Sequence, residues 1–557
     1  MRKKGLLLVC FISVLSLSSC QVIDNFLSLF RRSPQSEQQH SSEMICENKV
    51  GEFYGGITTG ETYVGYEFSK QENPYPKASK GIGDINIFAF NDFHGAVLET
   101  ENEVGLKTLG TFFKEKSSKQ NTLILDQGDT WQGSLESNYE YGAIVQDVFN
   151  YAGVSLRTVG NHDFDWGLDH LEKTNNRKLG DDYIPVLASN VFDYANGKNG
   201  NDQQDKYGKE YATFILDNSI KIGVVGVIGK SQITSISSQL VKDICFKDHV
   251  AKAKEISDFL RAEKQCDVVI VSSHEAISKM ASTGLDNISP VTHKRYADLV
   301  LGGHAHYLQN QTKNGVKYVQ WDSNGQSVGL INLKYDFETK RIVDLDTKVN
   351  TFYPKYLKTY YPKIEPTIGK MVDDYLLKTK SLGDEVLSTN FSGYFDSNGL
   401  GFLMSEAIYN YSKNAGKSVD FAVCNYARTD FNNTTFTYGD LYKAFPFDNE
   451  IILMDVSSEY SINSIGYNEL YREDVTLIPK AGNTYHIAVI DYLGLHQNEY
   501  RQYDKFPDAR NFEILKLENQ SELPTFRDIL KDYLLANPTK EFNGEEYTNS
   551  NPHFNIN

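Results

Sequence analysis

Five short clusters carry carboxylates, imidazoles and amides, four of them with glycines. They are Asn91-Asp92-Phe93-His94-Gly95, Asp126-Gln127-Gly128-Asp129, Gly160-Asn161-His162-Asp163-Phe164-Asp165, Ser273-His274-Glu275 and Gly302-Gly303-His304-Ala305-His306. Carboxylate oxygens, imidazole nitrogens and an amide oxygen are what a hard-to-borderline divalent cation takes as ligands. Asp92 and His94 stand two apart, as do His304 and His306, so along an extended segment each pair reaches the same side. The neighbouring glycines allow sharp turns and close backbone approach. Two metal ions about 3.5–4 Å apart can clamp one phosphoryl group. They need a bridging ligand, and Asp129 is the natural candidate. His162, beside Asn161, is left to face the substrate, where it can donate a hydrogen bond or proton to the leaving oxygen. Asp165 can orient that imidazole. A lone D-x-H or H-x-H is usually incidental, but these clusters hold five of the chain's twelve histidines, which argues for a common site.

Each cluster comes directly after an apolar run. The runs include residues 85–90, 122–126, 221–228, 267–274 and 297–304, with helix-like stretches such as 250–264 between them. This alternation predicts an α/β fold with largely buried strands. Parallel strands of an open sheet deliver their C-terminal ends to one crevice, so the clusters are expected to converge. Further on, Ile364, Ile368, Met371, Val372, Tyr375 and Leu376 line one face of an amphipathic helix over 362–380. Pro362 and Pro366 sit near its start, where proline is tolerated. It is expected to connect two domains.

The order D-x-H, G-D, G-N-H, H, G-H-x-H resembles the calcineurin-like metallophosphoesterase superfamily. The strings NDFHG, DQGDTWQGS, GNHDFDWG, ASNV at 188–191 and LGGHAH resemble its bacterial 5′-nucleotidase branch, which includes UDP-sugar hydrolases and 2′,3′-cyclic-nucleotide phosphodiesterases. The resemblance implies a two-sheet sandwich flanked by helices, plus a separate α+β C-terminal domain joined by a linker helix. It implies two divalent ions (Mn, Zn, Mg or Co). One would be held by Asp92, His94, Asp129 and His306, the other by Asp129, Asn161, His274 and His304. His162 and Asp165 would be the catalytic pair, and extracellular nucleotides the substrates. In the second domain, Asn425-Tyr426-Ala427-Arg428 is similar to a shortened N-G-G-x-R segment. Tyr438-Gly439-Asp440-Leu441 and Phe445-Pro446-Phe447-Asp448-Asn449 are similar to the stretch that follows it. Asn425, Arg428, Phe447 and Tyr500 are therefore the expected substrate-binding residues. The chain departs from the family after 485–493: a glycine-rich loop before a base-stacking aromatic is replaced by Gly494-Leu495-His496-Gln497-Asn498-Glu499-Tyr500. The likeness covers roughly residues 82 to 510.

The chain has 557 residues and a net charge of −17. That length implies more than one domain. That charge argues against duplex nucleic acid as a partner, because wrapping it needs basic surface. Bound metal ions would supply local positive charge for a small phosphate. Arg2, Lys3 and Lys4 precede an uncharged apolar run over 5–17, and Leu17-Ser18-Ser19-Cys20 follows. This order fits a signal peptide, and it resembles a bacterial lipoprotein lipobox. The expected organisation is a lipoprotein signal peptide at 1–20, a tether and arm at 21–80 and a catalytic domain at 81–350. A linker with a helix follows at 351–385, then a substrate-binding domain at 386–557. The protein is expected outside the cytoplasm, anchored to a membrane through lipidated Cys20. The six cysteines form no C-x-x-C pair; Cys245, Cys266 and Cys424 are expected to be small buried apolar residues. Two rival readings are a sulfate-ester or cyclic-phosphate hydrolase on the same scaffold and an adhesion lipoprotein without activity. Every expected ligand position is filled, which counts against the latter.

Overall fold

A computed structural model describes residues 63–69, 80–180, 183–193, 207–343, 347–498, 500–516 and 523–556. The expected signal peptide, Cys20 and the tether lie outside the described residues.

The apolar runs form the strands Ile82–Phe90, Thr122–Asp126, Lys221–Ile228, Val268–His274 and Leu299–Leu301, but they do not share one open sheet. One seven-stranded sheet runs Gly65–Ser69, Tyr211–Ile215, Lys221–Ile228, Val268–His274, Leu299–Leu301, Val316–Gln320, Gln309–Lys313. The other runs Arg341–Ile342, Val328–Asp336, Ile82–Phe90, Thr122–Asp126, Leu156–Thr158, Val186–Leu187, with Lys348–Phe352 also paired to Val328–Asp336. The physical reason is burial on both faces. Every residue of Thr122–Asp126 and of Val268–His274 is buried, so each sheet must be covered twice, once by its partner and once by helices.

Ile85, Ile87 and Ala89 pack against Ile222, Val224 and Ile270 between the sheets. Outside, Phe90, Phe113 and Phe149 fill the layer under the helices Leu106–Ser117 and Ala143–Ala152. The helix His249–Ala262 covers the opposite side through Ile256 and Leu260. Near the strand ends the sheets approach closely. There a Cβ on Gly226 would meet Leu187 Cβ at 2.3 Å, and Thr158 Oγ1 lies 2.7 Å from Ser272 Oγ of the opposing sheet.

The amphipathic segment forms the helix Pro366–Gly383, with Pro366 in its first turn and Glu365 capping the Ile368 N–H at 2.8 Å. Its apolar face is not free. Ile368 and Val372 are buried in the same core as Leu109 and Val148, so this helix is built into the first domain. The second domain has its own core and a five-stranded sheet, ordered Glu469–Tyr471, Phe421–Cys424, Tyr485–Ile490, Ile451–Val456, Arg510–Ile514. The helices Ser397–Asn414 and Phe526–Ala536 contribute Leu403, Ala407, Ile529 and Leu530 to that core.

The cysteine expectation needs one correction. Cys266 and Cys424 are free and buried, but Cys245, also buried, is disulfide-bonded. Among the described residues, no helix is long and apolar enough to cross a membrane.

Candidate metal centre

The C-terminal edges of the two sheets meet, and the clusters gather there. Asp92 and His94 follow the strand Ile82–Phe90, Asp129 follows Thr122–Asp126, and Asn161 follows Leu156–Thr158. From the other sheet, His274 ends Val268–His274, while His304 and His306 follow Leu299–Leu301. Five of these seven residues adopt left-handed backbone: φ is 50° at Asp92, 48° at His94, 53° at Asp129, 69° at His304 and 62° at His306. Strained backbone of this kind costs on the order of 1–3 kcal/mol per residue and clusters at functional sites. Gly160 must be glycine, because a Cβ there would stand 2.2 Å from Asp129 Oδ1. The buried Asp163 carboxylate pins the two loops together. It accepts the N–H groups of Gly160 at 2.8 Å and Thr130 at 3.2 Å and pairs with Arg157 at 2.9 Å.

Asp92, His94, Asp129 and His306 each bring one ligand atom within 4.8 Å of the others; Asp129, His274 and His304 do the same. Asp129 is common to both groups. Asn161 Oδ1 joins the second, 3.0 Å from His304 Nδ1 and 3.1 Å from His274 Nε2.

Hydrogen bonding shows that these donors fit metal ions. His94 Nδ1–H donates to the Gln132 carbonyl at 3.0 Å, and His274 Nδ1–H to the Gln127 carbonyl at 2.8 Å. Each bond fixes the tautomer and turns the Nε2 lone pair inward. His94 Nε2 then faces His306 Nε2 at 3.1 Å. His274 Nε2 faces both Asn161 Oδ1 and Asp129 Oδ2 at 3.1 Å. Asp129 Oδ2 is buried without a hydrogen-bond partner. Lone pairs crowded against lone pairs in a buried site call for a cation between them. Burial pushes the His94 imidazole down to about 3 and that of His304 to about 4, leaving both neutral and able to ligate. Against the pull of burial, His274, His162 and His94 hold the Asp129 carboxyl well below its usual range. The same carboxylate lifts His274 to about 10, again against burial; a metal ion would compete with that proton.

His162 stands beside the cluster rather than in it. Its N–H donates to Asp129 Oδ1 at 2.8 Å, and its Nδ1 lies 2.7 Å from Asp165 Oδ2. Burial opposes the charged ring, but Asp165 and Asp129 hold its pKa above the ordinary value.

The second domain closes over this pair. Phe447 stacks on the His162 ring with centres 5.4 Å apart, and the Arg428 guanidinium lies 4.9 Å from the centre of the Phe447 ring. Arg428 also acts electrostatically on both His162 and Asp165. Asn425 is half-buried in the same loop, its Oδ1 3.7 Å from Cys424 Sγ. Tyr500 makes none of these contacts. It is 52% exposed in a tight hairpin, its N–H bonded to Asn498 Oδ1 at 2.9 Å.

Two residues that the sequence reading did not single out contribute here. Gln132 Nε2 donates to the Pro446 carbonyl of the second domain at 3.0 Å, while its own carbonyl orients His94. Tyr492, just past the strand Tyr485–Ile490, lies within electrostatic reach of Arg428 and Asp165. Gln132 falls inside the string DTWQGS, which is a local signal; Tyr492 has none.

The calcineurin-like phosphoesterase model matches residues 85–308, the stretch that supplies every residue of the centre. This segment is a calcineurin-like phosphoesterase domain. Beyond the domain, the chain is 22% identical over 464 residues to Endonuclease YhcR of Bacillus subtilis, covering 75% of this chain and 35% of that protein. It is 23% identical over 428 residues to a 5′-nucleotidase of Vibrio parahaemolyticus, covering 67% of this chain and 73% of that one. The chain spans less than half the length of several curated relatives it matches. The crystal structure of a 5′-nucleotidase precursor from Thermus thermophilus superposes with a TM-score of 0.64 at 15% identity, covering 82% of this chain and 96% of that one. At that identity the likeness concerns the fold, and it extends through both domains.

Proposed function

We propose that the chain hydrolyses phosphate esters of extracellular nucleotides, 5′-nucleotidase fashion, with two divalent ions. The observation that carries the reading is the placement of His162 between the shared ligand Asp129 and the second-domain residue Phe447. Asp92, His94, Asp129 and His306 would hold one ion; Asp129, Asn161, His274 and His304 would hold the other. Bound there, the ions would supply the positive charge that holds a phosphoryl group and favours ionisation of water. The protein's own residues do the rest. Asp165 takes Nδ1 of His162, so Nε2 is the atom left to meet the ester. Its raised pKa favours the protonated ring, in which Nε2–H can donate to the leaving oxygen. Phe447 offers a flat apolar face and Arg428 a planar cation beside the reacting group, which suits a base and a phosphate or carboxylate. The 5′-nucleotidase named among the relatives supports the same substrate class.

Hydrolysis of AMP, UDP-glucose and a 2′,3′-cyclic nucleotide, with and without Mn²⁺ or Zn²⁺ and with the products separated, tests the reading. Metal-dependent release of phosphate from AMP is expected. Ring opening of the cyclic nucleotide to a nucleoside monophosphate, with AMP left intact, would favour the phosphodiesterase alternative, and no hydrolysis of any of the three would favour a binding protein.

Membrane anchoring is part of the proposal. The order Arg2-Lys3-Lys4, apolar run, Leu17-Ser18-Ser19-Cys20 supports it, and a multiply acylated Cys20 would be needed for stable attachment. Cys20→Ser should move the protein from membrane to soluble fractions; a processed mutant that stays with membranes would refute the anchor.

A further inference from the structure

The loop that follows the strand Tyr485–Ile490 departs from the family pattern, and its contacts suggest what it does instead. Two bonds tie its first half to the catalytic domain: Ser237 Oγ–H donates to Asp491 Oδ2 at 3.3 Å, and Ser238 Oγ–H to the Leu495 carbonyl at 2.7 Å. Its second half is a tight hairpin. Gln497 and Tyr503 pair across it. Asn498 Oδ1 accepts the N–H groups of Tyr500 at 2.9 Å and Gln502 at 3.1 Å, and the Asn498 carbonyl accepts Arg501 N–H at 2.9 Å. In this hairpin Arg501 takes φ 59°, a left-handed conformation that a non-glycine residue holds only where its surroundings enforce it.

That conformation aims the guanidinium across the domain boundary. It donates to the carbonyls of Lys242 at 3.1 Å and Val241 at 3.3 Å, and also to that of Ile244. A planar fork with several fixed donors suits a turn of convergent carbonyls; a lysine, with one nitrogen, cannot span them. The receiving segment starts beside the metal centre, where Gly229 N–H donates to the His274 carbonyl at 3.1 Å. Across the cleft, Gln132 and Asn138 donate to the Pro446 carbonyl at 3.0 and 3.3 Å. The residues that face the reacting pair, Phe447 and Tyr492, lie in the two stretches so attached.

We propose that Arg501 is a positioning residue for substrate selection: it clasps the 491–503 loop to residues 241–244 and fixes the Phe447–Arg428–Tyr492 wall at one distance from His162. The inference rests on the reading of the site as one that selects nucleotide esters. A small ester needs only the centre, whereas a nucleotide also needs the wall in register, so loss of the clasp acts on the second alone.

The test uses the full chain with Arg501→Met and Arg501→Lys. Steady-state rates are read on AMP and on p-nitrophenyl phosphate, and the spread of distances between spin labels at positions 119 and 414 is measured. Arg501→Met should raise KM for AMP by about tenfold, leave kcat/KM for the small ester within about twofold, and broaden the distance distribution. Arg501→Lys should fall between it and wild type. Ser238→Ala, which removes one bond of the same clasp, should shift both readouts in the same direction by less, and it serves if Arg501→Met does not fold. An unchanged AMP to small-ester ratio, or equal loss of both activities, overturns the proposal. If wild type does not cleave AMP, the functional reading falls, and an unchanged distance distribution in the variants overturns the clasp by itself.

Discussion

His274 Nε2 and Asn161 Oδ1 stand 3.1 Å apart, although His274 ends a strand of one sheet and Asn161 follows a strand of the other. The centre therefore exists only where the two sheets are packed in register, and the Thr158–Ser272 hydroxyl contact at 2.7 Å lies between the same two strands. Metal ions bound there would stabilise the folded sandwich, because the unfolded chain has no such cluster.

Asp129 is the residue on which both groups depend. Asp129→Ala should remove at least one ion and abolish hydrolysis, since the side chain belongs to both ligand groups and also accepts the His162 N–H. Elemental analysis of the purified variant checks this; two ions retained would show that the bridge lies elsewhere.

His162 should separate chemistry from metal binding. His162→Asn is expected to keep its metals and lower kcat by about 10²–10⁴, the usual scale of general acid–base help. The sign of the pH dependence follows from its environment. Burial disfavours the charged ring, but the Asp165 and Asp129 carboxylates raise its pKa. An imidazole with a raised pKa holds its proton to higher pH than a free one and loses it as pH rises through that value, so kcat should fall on the alkaline side. Asp165→Asn removes one raising charge and should shift this limb to lower pH. A limb that stays in place would mean that another group sets it.

The residues that gather at the candidate centre were legible in the sequence because each lies in a short turn after an apolar run, and local pattern records both features. Their division between two sheets followed from the resemblance and not from the apolar pattern, since a strand buried on both faces reads alike in either architecture. The hairpin around Tyr500 was not legible for a related reason: an aromatic at a given distance from a strand says nothing about how the loop between them folds. Arg157 had no signal at all. Charged residues are almost never fully buried without a partner, and its partner Asp163 was hidden inside the catalytic string.

Arg157 should prove a structural residue under the catalytic loops. Both it and Asp163 are wholly buried, 2.9 Å apart, and its guanidinium lies 3.7 Å from the centre of the Trp131 ring. Removing one partner of a buried pair leaves the other charge uncompensated and costs about 3–5 kcal/mol. Arg157→Met should lower the unfolding free energy by that order in a denaturant titration. Because Asp163 holds Gly160 and Thr130, metal content should fall at temperatures where the fold survives. A variant as stable as wild type would show that the pair has no net structural value.

The last prediction separates the two aromatics offered for base recognition and depends on where the chain is cut. Helix Pro366–Gly383 places Ile368 and Val372 in the first domain's core. A chain ending near residue 350 would strip them away and open that core; each buried aliphatic contributes about 1.5–3 kcal/mol. A chain ending at residue 384 keeps the helix and should fold, hold its metals and cleave p-nitrophenyl phosphate, while losing its preference for nucleotides through KM and kcat together. In the full chain, Phe447 lies 5.4 Å from His162, and stacking on a base is worth about 1–3 kcal/mol. Phe447→Ala should therefore lower kcat/KM for AMP by about 5- to 150-fold and spare the small ester. Tyr500, 52% exposed in its hairpin, should tolerate alanine with little change in either rate. Equal losses for the two variants on AMP would place Tyr500 back in the substrate site. A chain ending at 384 that discriminates as well as the whole would move specificity out of the second domain altogether.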